Sequence, residues 1–125
     1  MKFSIEGLQQ AQQANLYNIA QMKPSGALGR MVQYGTILAH RYTVSITHVD
    51  TGALRASHRM KLQGSRGEIY IDPEGVNPRT GAHTAKYGPV EHARGGSHAF
   101  YARTEKEAGL SIATQAGQAF IKELK

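Results

Sequence analysis

No cysteine occurs in the 125 residues, so disulfide staples, thiolate zinc sites and a cysteine nucleophile are excluded outright. Stability must come from packing or from oligomerisation. No apolar run approaches the ~18 residues of a membrane span, and the opening MKFSIEGLQQAQQ turns polar within its first dozen residues, without the apolar stretch of a signal peptide. A protein made and kept in a cytoplasm, with no membrane partner, is expected. Two common active-site signatures are also missing. The turns GSRG (64–67) and RGGS (94–97) lack the lysine and the preceding apolar strand of a P-loop, and Ser57 and Ser65 lack a GxSxG elbow.

What is present describes a small globular chain. Apolar residues make up 40% and charged residues 19%, while 14 glycines and a mean hydropathy of -0.44 point to a lean core with generous loops. One domain over residues 1–125 is expected at this length. Fifteen Lys and Arg against nine Asp and Glu give a net charge of +6, which permits contact with a polyanion. The charge is spread, however, at +2 over residues 1–50, +3 over 51–100 and +1 over 101–125. Dedicated nucleic-acid readers concentrate it on one element.

Ile5, Leu8, Leu16 and Ile19 share a helical face behind a candidate N-cap at Ser4, although Gln12 interrupts the stripe. Pro24, Ser25 and Gly26 break the pattern. Leu28, Met31, Val32, Gly35, Leu38, Tyr42 and Ile46 restart it with Ser25 as the cap, and the β-branched end YTVSITHV could instead become a strand from about residue 41. Asp50 or Thr51 can cap a short helix carrying Leu54. His58, Met60 and Leu62 then alternate with Arg59, Lys61 and Gln63, and EIYID (68–72) follows the turn, which predicts a β-hairpin.

Residues 73–84, PEGVNPRTGAHT, read as a long polar loop of the kind that is functional or disordered. A short strand or irregular segment is expected over 86–93. Thr104 and Glu107 form a capping-box pattern, although nothing forbids a helix start near Ala99. Leu110, Ala113, Gly117, Phe120, Ile121 and Leu124 then line one face. The whole predicts an α+β fold with N-terminal helices, a small antiparallel sheet bearing a long loop, and a C-terminal helix packed on the sheet.

Six histidines raise the question of a metal. Glu91, His92 and His98 form the best local cluster, but glutamate and histidine followed by a second histidine six residues on, across Gly-Gly, fits neither HExxH nor a short Cys and His array. A metal-dependent nuclease would need further ligands, and Glu105 and Glu107 are accounted for by capping. No metal, cofactor or catalytic residue is therefore expected. Arg55, Arg59, Lys61 and Arg66 with Tyr70 form either a basic binding face or a solvated sheet face. Tyr87, Phe100 and Tyr101 flank the Gly-Gly turn, where they either join an interface or cover the core.

Two separated stretches resemble one family. In DTGALRAS, Asp50, Thr51, Gly52, Leu54, Arg55 and Ser57 match the D-T-G-x-L-R-x-S of the head-to-tail joining (tail-completion) proteins of long-tailed bacteriophages. YGPVEH followed by HAFYART resembles that family's second segment through Tyr87, Gly88, Glu91 and Phe100. The likeness covers roughly residues 49–124, and differs in placing Ala93, Arg94, Gly95 and Gly96 where the family shows glycine and threonine after the glutamate.

The resemblance implies a non-enzymatic virion protein assembled in the host cytoplasm as a ring at the neck, commonly of six subunits. Such a ring joins the capsid connector or adaptor to the tail tube or tail terminator, and DNA passes its lumen without sequence-specific binding. Arg79, Tyr87, Glu91, His92, Arg94 and Phe100 are the expected subunit or partner contacts, and residues 73–84 are expected to order on docking. The rival expectations are a small basic DNA-binding module and a histidine-dependent metal hydrolase.

Overall fold

The computed structural model describes residues 6–49 and 52–125. Ser4, Ile5, Asp50 and Thr51 lie outside them, as does the side chain of Leu8, and the caps expected at Ser4 and at Asp50 or Thr51 fall there too. In chain order the elements are α1 (Glu6–Gln21), α2 (Ala27–Ile46), α3 (Ala53–Ala56), β1 (His58–Gln63), β2 (Arg66–Ile71), α4 (Thr84–Ala93), a 3₁₀ turn (Gly96–His98), α5 (Phe100–Arg103), a π turn (Thr104–Ala108) and α6 (Gly109–Lys122). The expected α+β architecture is the one observed.

α2 is the spine, packing against both strands and against α6. Its first turn is capped by Gln21, whose Oε1 accepts the Ala27 N–H at 2.9 Å, and not by the expected Ser25. The helix continues through YTVSI to Ile46, so the β-branched tail does not become a strand. Thr36 and Thr47 donate their hydroxyls to the carbonyls four residues back, Val32 and Thr43, both at 2.7 Å. That bond lets a buried threonine face the interior of a helix. α1 differs from expectation at Leu16 and Ile19, which are 68% and 60% exposed. Its C-terminal part is latched by Asn18, which exchanges two 2.9 Å bonds with the backbone of Lys125.

The hairpin forms in the register His58↔Ile71 to Gln63↔Arg66, turning at Gly64 with φ 62°. Only His58 of β1 is buried. Met60 and Leu62 face α2's side of the sheet yet stay 38% and 42% exposed, because two strands are too narrow to be fully covered. Gly67, opposite Leu62, lies against Thr36 so closely that a Cβ there would come within 3.0 Å of the threonine Cβ.

The loop expected to await a partner is already tied to itself. Thr84 N–H donates to the Gly75 carbonyl (3.0 Å), Asn77 N–H to Ala82 (2.8 Å) and Gly81 N–H to Asn77 (2.8 Å), while Val76 and His83 form an isolated β-bridge. The strand or irregular segment expected over 86–93 is instead α4. Gly88 and Pro89 are poor helix formers, costing roughly 1 and 3 kcal/mol in an isolated helix. Gly88 nevertheless is what the packing needs: a Cβ there would approach Leu54 Cδ1 to 3.1 Å and Ile71 Cδ1 more closely still.

The C-terminal helix starts at Phe100, and Thr104 is not its cap. The Thr104 hydroxyl donates to the Phe100 carbonyl at 2.8 Å in mid-helix, and Glu107 pairs with Arg103 at 2.9 Å. The π turn keeps Phe100, Thr104, Ala108, Ile112 and Ala116 on the face toward α2, where Gly35 makes room for Ile112 and Ala116. Leu110 and Ile121, expected inside, are 84% and 66% exposed. Among the described residues the buried apolar set is Ala27, Leu54, Phe100, Ala108 and Ala116, three of them alanines. Much of the interior is therefore polar.

Candidate functional site

The segment after α2 and the segment after the loop meet through their smallest and most apolar members. Gly52, with φ 86°, turns the chain in a left-handed conformation that glycine adopts without strain. Leu54 then drops into the interior beside Gly88, which places α3 against α4. Arg55 reaches back over the end of α2, donating Nη2 and Nε to the Thr47 carbonyl (2.8 and 3.2 Å) and Nη2 to Ser45 (3.4 Å). A guanidinium there satisfies terminal carbonyls and complements the negative end of the helix dipole. Ser57 closes α3 by donating to the Ala53 carbonyl at 2.6 Å, and its own carbonyl accepts the Asp72 N–H at 2.7 Å.

Between these segments lies an open cavity of ≈ 590 Å³, lined from one side by His48, Gly52 and Leu54 and from the other by Tyr87, Glu91, Arg94 and His98, with Asn77 and Thr80 at its rim. Glu91 is its electrostatic centre. Oε2 accepts from Arg94 Nη1 at 3.1 Å, and Oε1 is in close contact with His98 Nδ1. Partial burial pushes the Glu91 carboxyl up, but these hydrogen bonds and the charges of Arg94 and His98 outweigh it and hold the group below the ordinary glutamate value. The His48 ring stacks on His98 at 4.2 Å between centroids, and His48, Glu91 and His98 bring their donor atoms within 4.8 Å of one another.

The six expected contact residues divide. Arg79, Tyr87, Glu91 and Arg94 all stand at or near a surface, Arg79 on the loop with its backbone N–H bonded to Asn77 Oδ1 at 2.9 Å. Phe100 is a correction: at 1% exposure it is core and cannot touch a neighbour. Its ring meets His92 edge-on at 5.1 Å, and His92 Nε2 accepts the Ala102 N–H at 3.2 Å, so His92 is engaged inside the same chain. Sequence spacing grouped Glu91 with His92 and His98; the fold keeps His98 beside it, turns His92 onto Phe100 and brings in His48. Nothing local could have signalled His48, which lies 43 residues before Glu91.

The basic hairpin is internally compensated. Arg59 pairs with Asp72 at 3.2 Å, Arg66 with Glu68 at 2.9 Å, and Lys61 lies opposite Glu68. No helix among the described residues is long and apolar enough to cross a membrane. Comparison with protein-family models, with curated proteins and with solved structures returns no match to this chain.

Proposed function

We propose that this chain is a structural virion protein of a long-tailed bacteriophage, assembling as a ring at the neck and joining the capsid connector or adaptor to the tail. The observation that carries the reading is that the two stretches resembling joining proteins, though separated in the sequence by the hairpin and the long loop, line one cleft: Leu54 of the first packs on Gly88 of the second, and Leu54 and Tyr87 border the cavity around Glu91. A motif split in sequence but joined in space is what a shared family fold would require.

A second support is the surface. Leu16, Ile19, Met22, Val90, Leu110 and Ile121 are all more than half exposed beside a core built largely from alanine and threonine. These side chains offer apolar area that association with a partner could bury. Arg79, Tyr87, Glu91 and Arg94 are the proposed subunit or partner contacts, with the DNA passing the lumen unread. The ion-paired hairpin speaks against the DNA-binding module, because counterion release needs unpaired cations.

Negative-stain imaging and light scattering of the full chain, alone and with a connector or tail-tube protein, test the reading. Closed rings, alone or on the partner, are expected. A chain that stays monomeric and binds neither protein overturns it, and duplex binding by the monomer with a steep salt slope replaces it with the DNA-binding alternative.

A further inference from the structure

We propose that His48, Glu91 and His98 form a binding site for one divalent transition-metal ion of the zinc type. The three come from three elements: His48 from the chain just after α2, Glu91 from α4, and His98 from the end of the 3₁₀ turn. Their donor atoms lie within 4.8 Å of one another. Tetrahedral zinc with bonds of about 2.0–2.1 Å holds its ligands roughly 3.3 Å apart. The adjustment needed is small: the Glu91 and His98 donor atoms, now in direct contact, part slightly, and His48, exposed just after a helix end, moves in by a change of side-chain torsion.

The donor set decides which ion. Two imidazoles and one carboxylate suit zinc and its first-row neighbours, whereas magnesium and calcium seek oxygen alone. Arg94 supports the arrangement by holding Glu91 Oε2 at 3.1 Å, which leaves Oε1 directed at the histidines. Outer hydrogen bonds of this kind fix the orientation of ligating carboxylates. The fourth coordination position opens to the ≈ 590 Å³ cavity and would take a water molecule. The ion would replace the direct contact between Glu91 and His98 and would tie the end of α2 to the α4–α5 corner. This site is independent of the joining reading, since a ring can form with or without it.

Isothermal titration of chelator-treated full-length protein with zinc chloride tests it. One saturable site per chain is expected, with affinity reduced at least ~10-fold by His48→Ala and by the near-isosteric Glu91→Gln, and changed less than about twofold by His83→Ala outside the cluster. Cobalt chloride should give the intense visible absorption of a four-coordinate ion, absent in His48→Ala. His48 is exposed, so its substitution leaves the fold intact, which circular dichroism checks. No saturation below about 1 mM zinc, or binding indifferent to His48→Ala, overturns the proposal and leaves the cluster as a histidine stack with an ion pair.

Discussion

Thr43 on α2 and Thr104 in the C-terminal helix join hydroxyls at 2.7 Å in the interior, and Thr104 passes its own proton to the Phe100 carbonyl at 2.8 Å. With that proton committed, Thr43 is the donor of the shared bond. The spine helix and the C-terminal helix are thus joined by a directional contact where an apolar pair would otherwise stand.

The direction makes the two substitutions unequal. Thr104→Val strands a buried donor and should cost about 1–3 kcal/mol, while Thr43→Val leaves Thr104 still bonded to Phe100 and should cost less. The double variant should be more stable than the sum of the two losses predicts, by roughly 0.5 kcal/mol or more. Urea unfolding measures all four proteins, and strict additivity would refute the pairing.

His58 supplies a pH dependence. Burial, followed by the nearby charge of His40, pulls its imidazole down from 6.5 to about 4. Neutral His58 fits its partners: Thr47 donates to the Thr43 carbonyl, so His58 Nε2–H donates to Thr47 Oγ1 at 2.8 Å, and Nδ1 accepts from Tyr101 at 3.3 Å. The unfolded chain therefore binds the proton more readily. The stability contributed by neutral His58 is complete above pH 6.5 and is lost as pH falls toward 4. His58→Gln should flatten the melting temperature between those limits; a slope equal to that of the parent would count against this assignment.

Gly67→Ala tests the sheet-to-helix contact. The added methyl meets Thr36, a buried side chain on the spine helix whose hydroxyl is already bonded to Val32. Overpacking of this kind costs about 1–3 kcal/mol. Adding Thr36→Ala should restore most of the loss, and a double variant no more stable than Gly67→Ala would place the strain elsewhere.

Arg55→Lys tests the clamp on α2. A lysine keeps the charge but cannot reach the Thr47 and Ser45 carbonyls with a fork. A loss of about 1–2 kcal/mol is expected, with faster amide exchange over residues 44–47. Exchange unchanged there would mean the helix end holds itself.

The elements legible in the sequence were those set by local pattern: α2 through its apolar recurrence, the hairpin through alternation about GSRG, and a C-terminal helix that could start near Ala99. α4 was hidden because Gly88 and Pro89 argue locally against a helix, and only Leu54 and Ile71 explain why a glycine is wanted. Thr104 and Glu107 imitated a capping box because spacing alone does not distinguish a threonine bonding forward to amides from one bonding back to a carbonyl. The candidate site was half visible. Glu91 and His98 lie close together in the sequence, but His48 reaches them only through the packing of α3 on α4.

The π turn at Thr104–Ala108 also sets what the outside of the molecule presents. Each residue of an α-helix advances the chain by about 100° around its axis, so one residue more or fewer in that turn would swing all of α6 by that angle. Ile112 would turn away from α2, and its place there would fall to Ser111 on lengthening or to Ala113 on shortening. The outward apolar display at Leu110 and Ile121 is therefore governed by the length of a five-residue turn as much as by the identity of those two side chains.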